Sequence, residues 1–132
     1  MSRAIDWDAL QPIWRDMPEI VAAWAFGSAQ SGELRTGSDA DVGVLTTRTL
    51  TFDEQLALLG RLQAALQLDE VDLVLLNDAN PMLRFEAVSG RRLFVRDPET
   101  MAGFVSLTAR EYEDEMAQWE RALRLRQTPE QR

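Results

Sequence analysis

The stretch that decides the fold is FGSAQSGELRTGSDADVGVL, residues 26–45, which places two Gly-Ser pairs and two aspartates between apolar runs. The run EIVAAWAF at 19–26 has no helical periodicity and predicts a buried strand. We predict a second strand at DADVGVL, 39–45, in which Asp39 and Asp41 point to the same face because side chains alternate along a strand. The other face would carry Ala40, Val42 and Val44.

Outward from this stretch, predicted strands and helices alternate. EVDLVLLN at 70–77 is apolar on both faces apart from one aspartate, which predicts a central strand, and RRLFVRD at 91–97 predicts another strand. A first helix is predicted at about 7–17, although Pro12 leaves its start open. The tail RQTPEQR, 126–132, is expected to fray.

Three further helices have clear start signals. Thr51 and Glu54 form a capping box, and the helix that follows has its predicted apolar face at Phe52, Leu56, Leu59, Leu62 and Leu66. A short helix at 81–89 begins after Asn80 and ends at Gly90. Pro98 begins the last helix, whose predicted apolar stripe is Phe104, Leu107, Tyr112, Trp119 and Leu123.

This alternation predicts an α/β or α+β fold in which helices cover a central sheet. No repeat, low-complexity segment or flexible linker divides the chain. We therefore expect a single domain over residues 1–132, with a core at about 19–97 and a C-terminal helix at about 98–126.

Composition excludes several kinds of chemistry. The chain has no cysteine and no histidine, which leaves carboxylates, hydroxyls, backbone amides and arginine for any catalysis. All fourteen basic residues are arginines, so a Walker-type phosphate loop with its lysine is impossible. The formal net charge of −8 opposes nucleic-acid binding and favours a protein or small-molecule partner, although an acidic surplus also serves solubility alone.

The sequence also bears on location. No apolar run approaches the roughly 20 residues of a membrane span, and the start MSRAIDWDAL lacks the apolar core of a secretory signal. We therefore expect no membrane association and a cytoplasmic location.

Candidate binding residues follow the first predicted strand. Gly27 and Ser28 place backbone N–H groups and a hydroxyl where phosphate oxygens can sit, with an ordinary turn as the alternative. Asp39 and Asp41, side by side without histidine or thiolate, suit Mg²⁺ bound together with substrate phosphates. The alternative is that Asp39 caps a turn and Asp41 is solvated at a strand edge.

Asp72 favours the metal interpretation. It interrupts the apolar run VDLVLL, where an unpartnered buried carboxylate costs several kcal/mol. If its strand lies beside the strand of Asp39 and Asp41, the three carboxylates converge and can hold two Mg²⁺ ions, with Asp72 placed to take a proton from an attacking hydroxyl. The alternative is an ion pair between Asp72 and Arg91, Arg92 or another arginine.

Gly27 and Ser28, ten intervening residues, then Asp39, Ala40 and Asp41 resemble the G-S-x(10)-D-x-D signature of the DNA polymerase β-like nucleotidyltransferase superfamily. Asp72 stands where that family keeps its third aspartate. The small size, the segment NPMLRFEAVSGRRLFVRD and the terminal helix are similar to the minimal nucleotidyltransferases, the MNT antitoxins encoded beside HEPN ribonuclease toxins. The resemblance covers residues 20–97 well and the ends loosely.

The resemblance implies a small mixed β-sheet flanked by helices and Mg²⁺-dependent transfer of AMP from ATP, with pyrophosphate leaving. It implies that Gly27 and Ser28 hold the triphosphate, that Asp39 and Asp41 bind both metals, and that Asp72 binds one metal and activates the acceptor. The implied acceptor is a tyrosine of the cognate HEPN toxin, which implies a hetero-oligomeric complex.

The chain departs from the family pattern at one position. Many relatives read G-S-x-A-R-G, whereas Ser31 stands here in place of the arginine. Arg35 in the same loop is either its substitute or an exposed structural arginine. Ser31 favours the alternative of an antitoxin that neutralises its toxin by binding alone. A nucleotidyltransferase acting on a small molecule is a third, separate alternative.

Overall fold

The computed structural model describes residues 2–127, which form six strands and four helices. The strands are β1 Ser2–Ala4, β2 Ile20–Phe26, β3 Glu33–Arg35, β4 Ala40–Thr46, β5 Val71–Leu75 and β6 Arg91–Val95. The helices are α1 Gln11–Asp16, α2 Phe52–Leu66, α3 Pro81–Val88 and α4 Pro98–Gln127. Short 3₁₀ turns cover Trp7–Leu10, Gly27–Ser31 and Leu76–Asp78.

Four of the strands form a mixed sheet in the order β5-β4-β2-β6. β2 pairs antiparallel with both β4 and β6, whereas β4 and β5 are parallel and are joined through α2. A parallel pair needs such a crossover because its strands run in the same direction. The predicted fold class, a small mixed β-sheet flanked by helices, is confirmed.

Helices cover the sheet on both faces. α1, α2 and the turn before α1 pack on one face against Ala23, Ala25, Val42 and Val44. α3 and α4 pack on the other face, where Trp24, Phe26 and Leu45 meet Leu83, Ala87, Met101 and Phe104. Every residue of β2 is buried, as the apolar run at 19–26 predicts.

The prediction of a central strand at 70–77 is wrong in its position. The central strands are β2 and β4, and β5 lies at the edge of the sheet. β5 still has apolar side chains on both faces because α2 packs on one and the α3–α4 layer on the other. An edge strand in such a three-layer arrangement therefore has the same apolar pattern as a central one.

The predicted apolar faces of the long helices are partly wrong. In α2 the buried positions are Leu58, Leu62 and Leu66, whereas Phe52 and Leu56 are exposed. In α4 the side chains of Leu107, Trp119, Leu123 and Leu125 are exposed. α2 has more leucines than one face can bury, so periodicity alone selects the wrong stripe there. α4 packs on the sheet core through Met101, Phe104 and Val105 near its start, so apolar residues further along it stay exposed.

The remaining helix predictions hold with small changes. The predicted first helix is divided into the turn Trp7–Leu10 and α1, because Pro12 lacks the N–H that would continue a helix. The capping box of Thr51 and Glu54 is present, and Asn80 caps α3 by accepting from the backbone N–H of Leu83 at 2.9 Å. The predicted fraying tail lies largely outside the described residues. The small antiparallel sheet of β1 and β3 was not predicted.

Gly90 fixes the distance between α3 and the sheet. A Cβ atom at this position would overlap the carbonyl oxygen of Ala25 and would lie 2.9 Å from the Cβ atom of Phe26. No side chain fits between these backbones, so glycine lets the end of α3 lie directly on the end of β2.

We expect Gly90→Ala to lower the free energy of unfolding by about 1–3 kcal/mol, because the added methyl group overpacks a backbone contact. Urea denaturation measures the change. The control is Gly103→Ala in α4, where the new Cβ meets nothing within 4 Å. That variant should be slightly stabilised through helix propensity. Equal effects of the two substitutions would contradict the prediction.

Candidate active site

The turn after β2 begins with a glycine that no other residue replaces without strain. Gly27 has φ of +71°, and a Cβ atom there would overlap Oδ2 of Asp41. The following 3₁₀ turn, Gly27–Ser31, carries Ser28 exposed at its start. The Gly-Ser turn therefore lies directly against the carboxylate of Asp41.

The strand register brings two of the predicted aspartates together. β4 and β5 pair so that Asp41 lies opposite Asp72, and β2 and β4 pair so that Asp41 lies opposite Phe26. Phe26 belongs to the core under α3 and α4, so Asp41 and Asp72 point to that face of the sheet. Asp39 lies just before β4 rather than within it, following a turn in which Gly37 has φ of +85°.

The charges at this edge of the sheet are unbalanced. The pKa of Asp41 is raised to about 6, chiefly by burial and then by the negative charges of Asp72, Asp39 and Glu86. Among the described residues, no ion pair or hydrogen bond is formed by the side chains of Asp39, Asp41 or Asp72. The negative charges of three other carboxylates therefore act on Asp41, whose own side chain has no basic partner.

The structure corrects the sequence argument about Asp72. Its side chain is exposed, so the cost of burying a carboxylate does not explain its presence. The alternative of an ion pair with Arg91 or Arg92 is also wrong, because these residues lie on β6 and two strands separate β6 from β5. Asp72 instead lies at the sheet edge beside Asp41.

The carboxylates fit a hard divalent cation in chemistry and charge. Within residues 2–127 no three acidic side chains are already arranged as a metal-binding group. The donors are nevertheless all oxygens. Burial and then the neighbouring negative charges raise the pKa of Asp41, and a bound cation would offset both effects. Asp39, Asp41 and Asp72 are the residues that would hold Mg²⁺.

Two arginines bear on the missing arginine of the turn. Arg35 lies on β3 and lines a separate hollow with Arg3, Leu34 and Ser38, away from the cleft beside Gly27. Arg91, the first residue of β6, approaches the end of the turn, and its Nη1 atom is 4.0 Å from the position of a Cβ atom on Gly32. Arg91 is therefore a basic side chain that lies beside the end of this turn.

A cleft of about 750 Å³ opens beside Gly27. Its walls are the Gly27 turn, α3 and the middle of α4. The lining residues are Gly27, Gln30, Asn80, Met82, Leu83, Phe85, Glu86, Ser89 and Tyr112. The carboxylates and the cleft share one region, because Glu86 lines the cleft and its charge also acts on Asp41.

Arg84 holds the α3 wall of this cleft in place. Its Nε atom donates to the carbonyl oxygen of Leu76 at 2.8 Å, and a guanidinium nitrogen donates to the carbonyl oxygen of Asn77. Its other end pairs with Glu111 of α4 at 3.3 Å and lies over the ring of Phe104. One half-buried side chain thus ties α3 to α4 and to the turn after β5.

Sequence reasoning missed Glu86, Phe85 and the role of Tyr112 in the cleft. Glu86 and Phe85 are ordinary residues of a short amphipathic helix, and Tyr112 was assigned to a packing stripe. No spacing rule connects them to Gly27, because only the packing of α3 and α4 on the sheet brings them there. The sequence gives a signal for Tyr112 alone, because it is the single tyrosine of a chain that has no histidine.

A glycine turn against carboxylates on adjacent strands, beside a cleft, defines the nucleotidyltransferase class of α/β protein. The family model described as Polymerase beta, Nucleotidyltransferase matches residues 8–99. The chain belongs to this family.

Solved structures share the fold over nearly the whole chain. A chain in a mutant MntA–HpeT toxin–antitoxin crystal structure is 24% identical with a TM-score of 0.76, covering 94% of this chain and 100% of that chain. A toxin–antitoxin with AMP-PNP matches at 25% identity, with the same TM-score of 0.76 and coverage of 94% and 100%.

A complex of the tri-AMPylated Shewanella oneidensis HEPN toxin with its MNT antitoxin matches at 24% identity and a TM-score of 0.68. That match covers 92% of this chain and 97% of the other. Among curated proteins, none matches this sequence.

Within the described part of the chain, no helix has the length and apolarity to cross a membrane.

We expect Asp41→Asn to stabilise the protein at about pH 7.5 in metal-free buffer and to have little effect near pH 4. The reason is that the folded-state pKa of Asp41, about 6, lies above its ordinary value of 3.8. The stability that protonation of Asp41 contributes is fully present below the ordinary value and is lost as the pH rises through 6.

Urea midpoints measured across this pH range for parent and variant test the prediction. Asp69→Asn, which removes an exposed carboxylate from the loop before β5, is the control and should follow the pH dependence of the parent. A parent–variant difference that stays constant with pH would exclude titration of Asp41 as its cause.

Proposed function

We propose that the protein is a single-domain nucleotidyltransferase that transfers AMP from ATP to a tyrosine of a cognate HEPN toxin and thereby acts as its antitoxin. The observation that carries the proposal is the alignment of Asp41 with Asp72 in the β4–β5 register, directly against the Gly27 turn. Membership of the nucleotidyltransferase family supports the reaction class. Similarity to toxin–antitoxin structures, one with AMP-PNP and one with an AMPylated toxin, supports the substrate and the partner.

In the proposed reaction the oxygen of the acceptor hydroxyl attacks the α-phosphorus of ATP. The bond between that phosphorus and the oxygen bridging the α- and β-phosphates breaks, and pyrophosphate leaves. Gly27 and Ser28 hold the triphosphate, with the Gly27 backbone free to approach it because a side chain is absent. Asp72 takes the proton from the hydroxyl group of the acceptor tyrosine, because its carboxylate is exposed at the sheet edge, where a hydroxyl group of the partner can approach it.

Asp39, Asp41 and Asp72 would hold two Mg²⁺ ions. When bound, these ions supply positive charge that offsets the phosphate charge and lowers the pKa of the attacking hydroxyl. The negative charges around Asp41 support this assignment, because a bound cation would offset charges that no basic side chain offsets in the free protein. Arg91 lies beside the turn and would supply the basic contact that Ser31 does not.

The proposed partner follows from the same comparison. The matched structures include toxin–antitoxin crystal structures, one of them an AMPylated HEPN toxin with its MNT antitoxin, so we propose a hetero-oligomer with a HEPN toxin and a cytoplasmic location for this protein. The exposed apolar residues of α2 and α4 and the acidic surface offer area for protein contact rather than for nucleic acid.

Incubating the protein with its cognate toxin, labelled ATP and Mg²⁺ should label the toxin on tyrosine. The double substitution Asp39→Asn and Asp41→Asn should lower the labelling rate at least about 100-fold, because it removes the proposed metal ligands. Asp69→Asn with Asp78→Asn is a matched control that removes two exposed carboxylates outside the site and should leave labelling unchanged.

The same assay distinguishes catalysis from occlusion. Ser31 in place of the usual arginine favours an antitoxin that acts by binding alone. In that case the double variant would still neutralise the toxin, and mass spectrometry would find no added AMP. Labelling of an aminoglycoside or another small molecule instead of the toxin would support the remaining alternative.

A further inference from the structure

We infer that a hollow beside β3 binds the acceptor segment of the partner protein, through a carboxylate side chain of that segment close to the acceptor tyrosine. This β3 hollow has a volume of about 450 Å³, and its lining includes Arg3, Leu34, Arg35, Ser38, Leu68 and Glu70. The inference rests on the proposed function and deepens it, because it names the chemistry by which the acceptor is selected.

The position of the β3 hollow is the first argument. Ser38 lines the hollow and immediately precedes Asp39, and Glu70 lines it two residues before Asp72. The backbone joins these two segments, because the N–H of Ala40 donates to the carbonyl oxygen of Glu70 at 2.8 Å. The hollow therefore borders the carboxylates at the starts of β4 and β5.

The direction of the proposed reaction is the second argument. In an in-line displacement the attacking and leaving oxygens lie on opposite sides of the phosphorus. The cleft beside Gly27 and the β3 hollow have no described lining residue in common, so they are separate openings at the same carboxylates. With the triphosphate at Gly27, the acceptor hydroxyl approaches on the side of Asp72, where the β3 hollow lies.

The charge of the β3 hollow is the third argument. Its described lining has two arginines and one carboxylate, that of Glu70, whereas the whole chain has a net charge of −8. Arg3 donates to the carbonyl oxygen of Gln67. Arg35 is exposed, and its side chain forms no hydrogen bond or ion pair within residues 2–127. Its guanidinium is therefore available to an anionic group of a partner.

The apolar part of the β3 hollow favours a carboxylate side chain over a small free anion. Leu34 and Leu68 line the hollow together with the two arginines and are only 6% and 4% exposed. The methylene groups of an aspartate or glutamate can pack on these leucines while the carboxylate oxygens accept from a guanidinium. An inorganic anion would leave the leucines uncovered.

Steady-state labelling of the cognate toxin by the full chain, with labelled ATP and Mg²⁺, tests the inference. Arg35→Gln should raise the KM for the toxin about 10-fold, because one charge-assisted hydrogen bond is lost, and should leave kcat and the KM for ATP unchanged. Arg35→Lys keeps the positive charge and should recover most of the affinity for the toxin. Arg3→Gln should also raise the KM for the toxin.

Arg61→Gln is the matched control, because it changes the net charge equally at an exposed arginine of α2, which pairs with Asp16 at 3.0 Å. It should leave both KM values unchanged. Thermal unfolding of each variant shows whether the fold is retained. Arg35→Gln is the cleaner of the two test variants, because Arg3 also contacts the backbone at Gln67.

A charge reversal identifies the group that the hollow binds. Arg35→Glu should raise the KM for the toxin more than Arg35→Gln does, because it adds repulsion. Replacing the acidic residues next to the acceptor tyrosine by arginine, one at a time, should restore a low KM with Arg35→Glu in one case. Failure of every such exchange would exclude a carboxylate as the bound group.

Three further results would overturn the inference while leaving the proposed function intact. An unchanged KM for the toxin in Arg35→Gln would exclude the β3 hollow from acceptor binding. An equal rise in Arg61→Gln would assign the effect to overall charge. A normal first transfer with slower addition of any later AMP would assign the arginines to the phosphate already transferred. Absence of toxin labelling by the parent would instead overturn the proposed function together with the inference.

Discussion

The antiparallel pairing of β2 and β4 is the constraint on which the rest of the structure depends. Both strands are almost wholly buried, so their register is fixed by apolar contacts on two faces rather than by one. This register places Asp41 opposite Phe26, immediately before Gly27. A shift of one residue would turn Asp41 towards the α1–α2 core and away from Asp72, so the buried pairing determines where the carboxylates point.

The second requirement is a backbone that comes closer to its neighbours than a side chain would allow, which glycine provides at two places. Gly27 lets the turn lie against Asp41, and Gly90 lets the end of α3 lie against β2. Together they bring the cleft wall and the carboxylates into one region. Arg84 then holds α3 to α4 and to the turn after β5, so that Phe85 and Tyr112 meet across the helix interface.

The energetics of the site differ from those of the fold around it. The sheet and its two helical layers bury apolar side chains, whereas burial of the Asp41 carboxylate and the negative charges of Asp72, Asp39 and Glu86 raise the pKa of Asp41 to about 6. Such local cost is common where a site must bind a cation or a charged substrate. The exposed carboxylate of Asp72 is consistent with such a binding site, because it lies at the sheet edge without a basic partner.

The sequence by itself determined the strand at 19–26, the capping box, the helix starts at Asn80 and Pro98, and the candidate residues Gly27, Ser28, Asp39, Asp41 and Asp72. The strand, the capping box and the helix starts are local features, set by periodicity and capping within a few residues, whereas the candidate residues follow from a spaced sequence signature. Only the tertiary structure decided that β5 is an edge strand, that Phe52 and Leu56 are exposed, and that Glu86, Phe85 and Tyr112 line the cleft. The reason is that these properties depend on which elements pack together across the sheet, and a one-dimensional pattern does not contain those contacts.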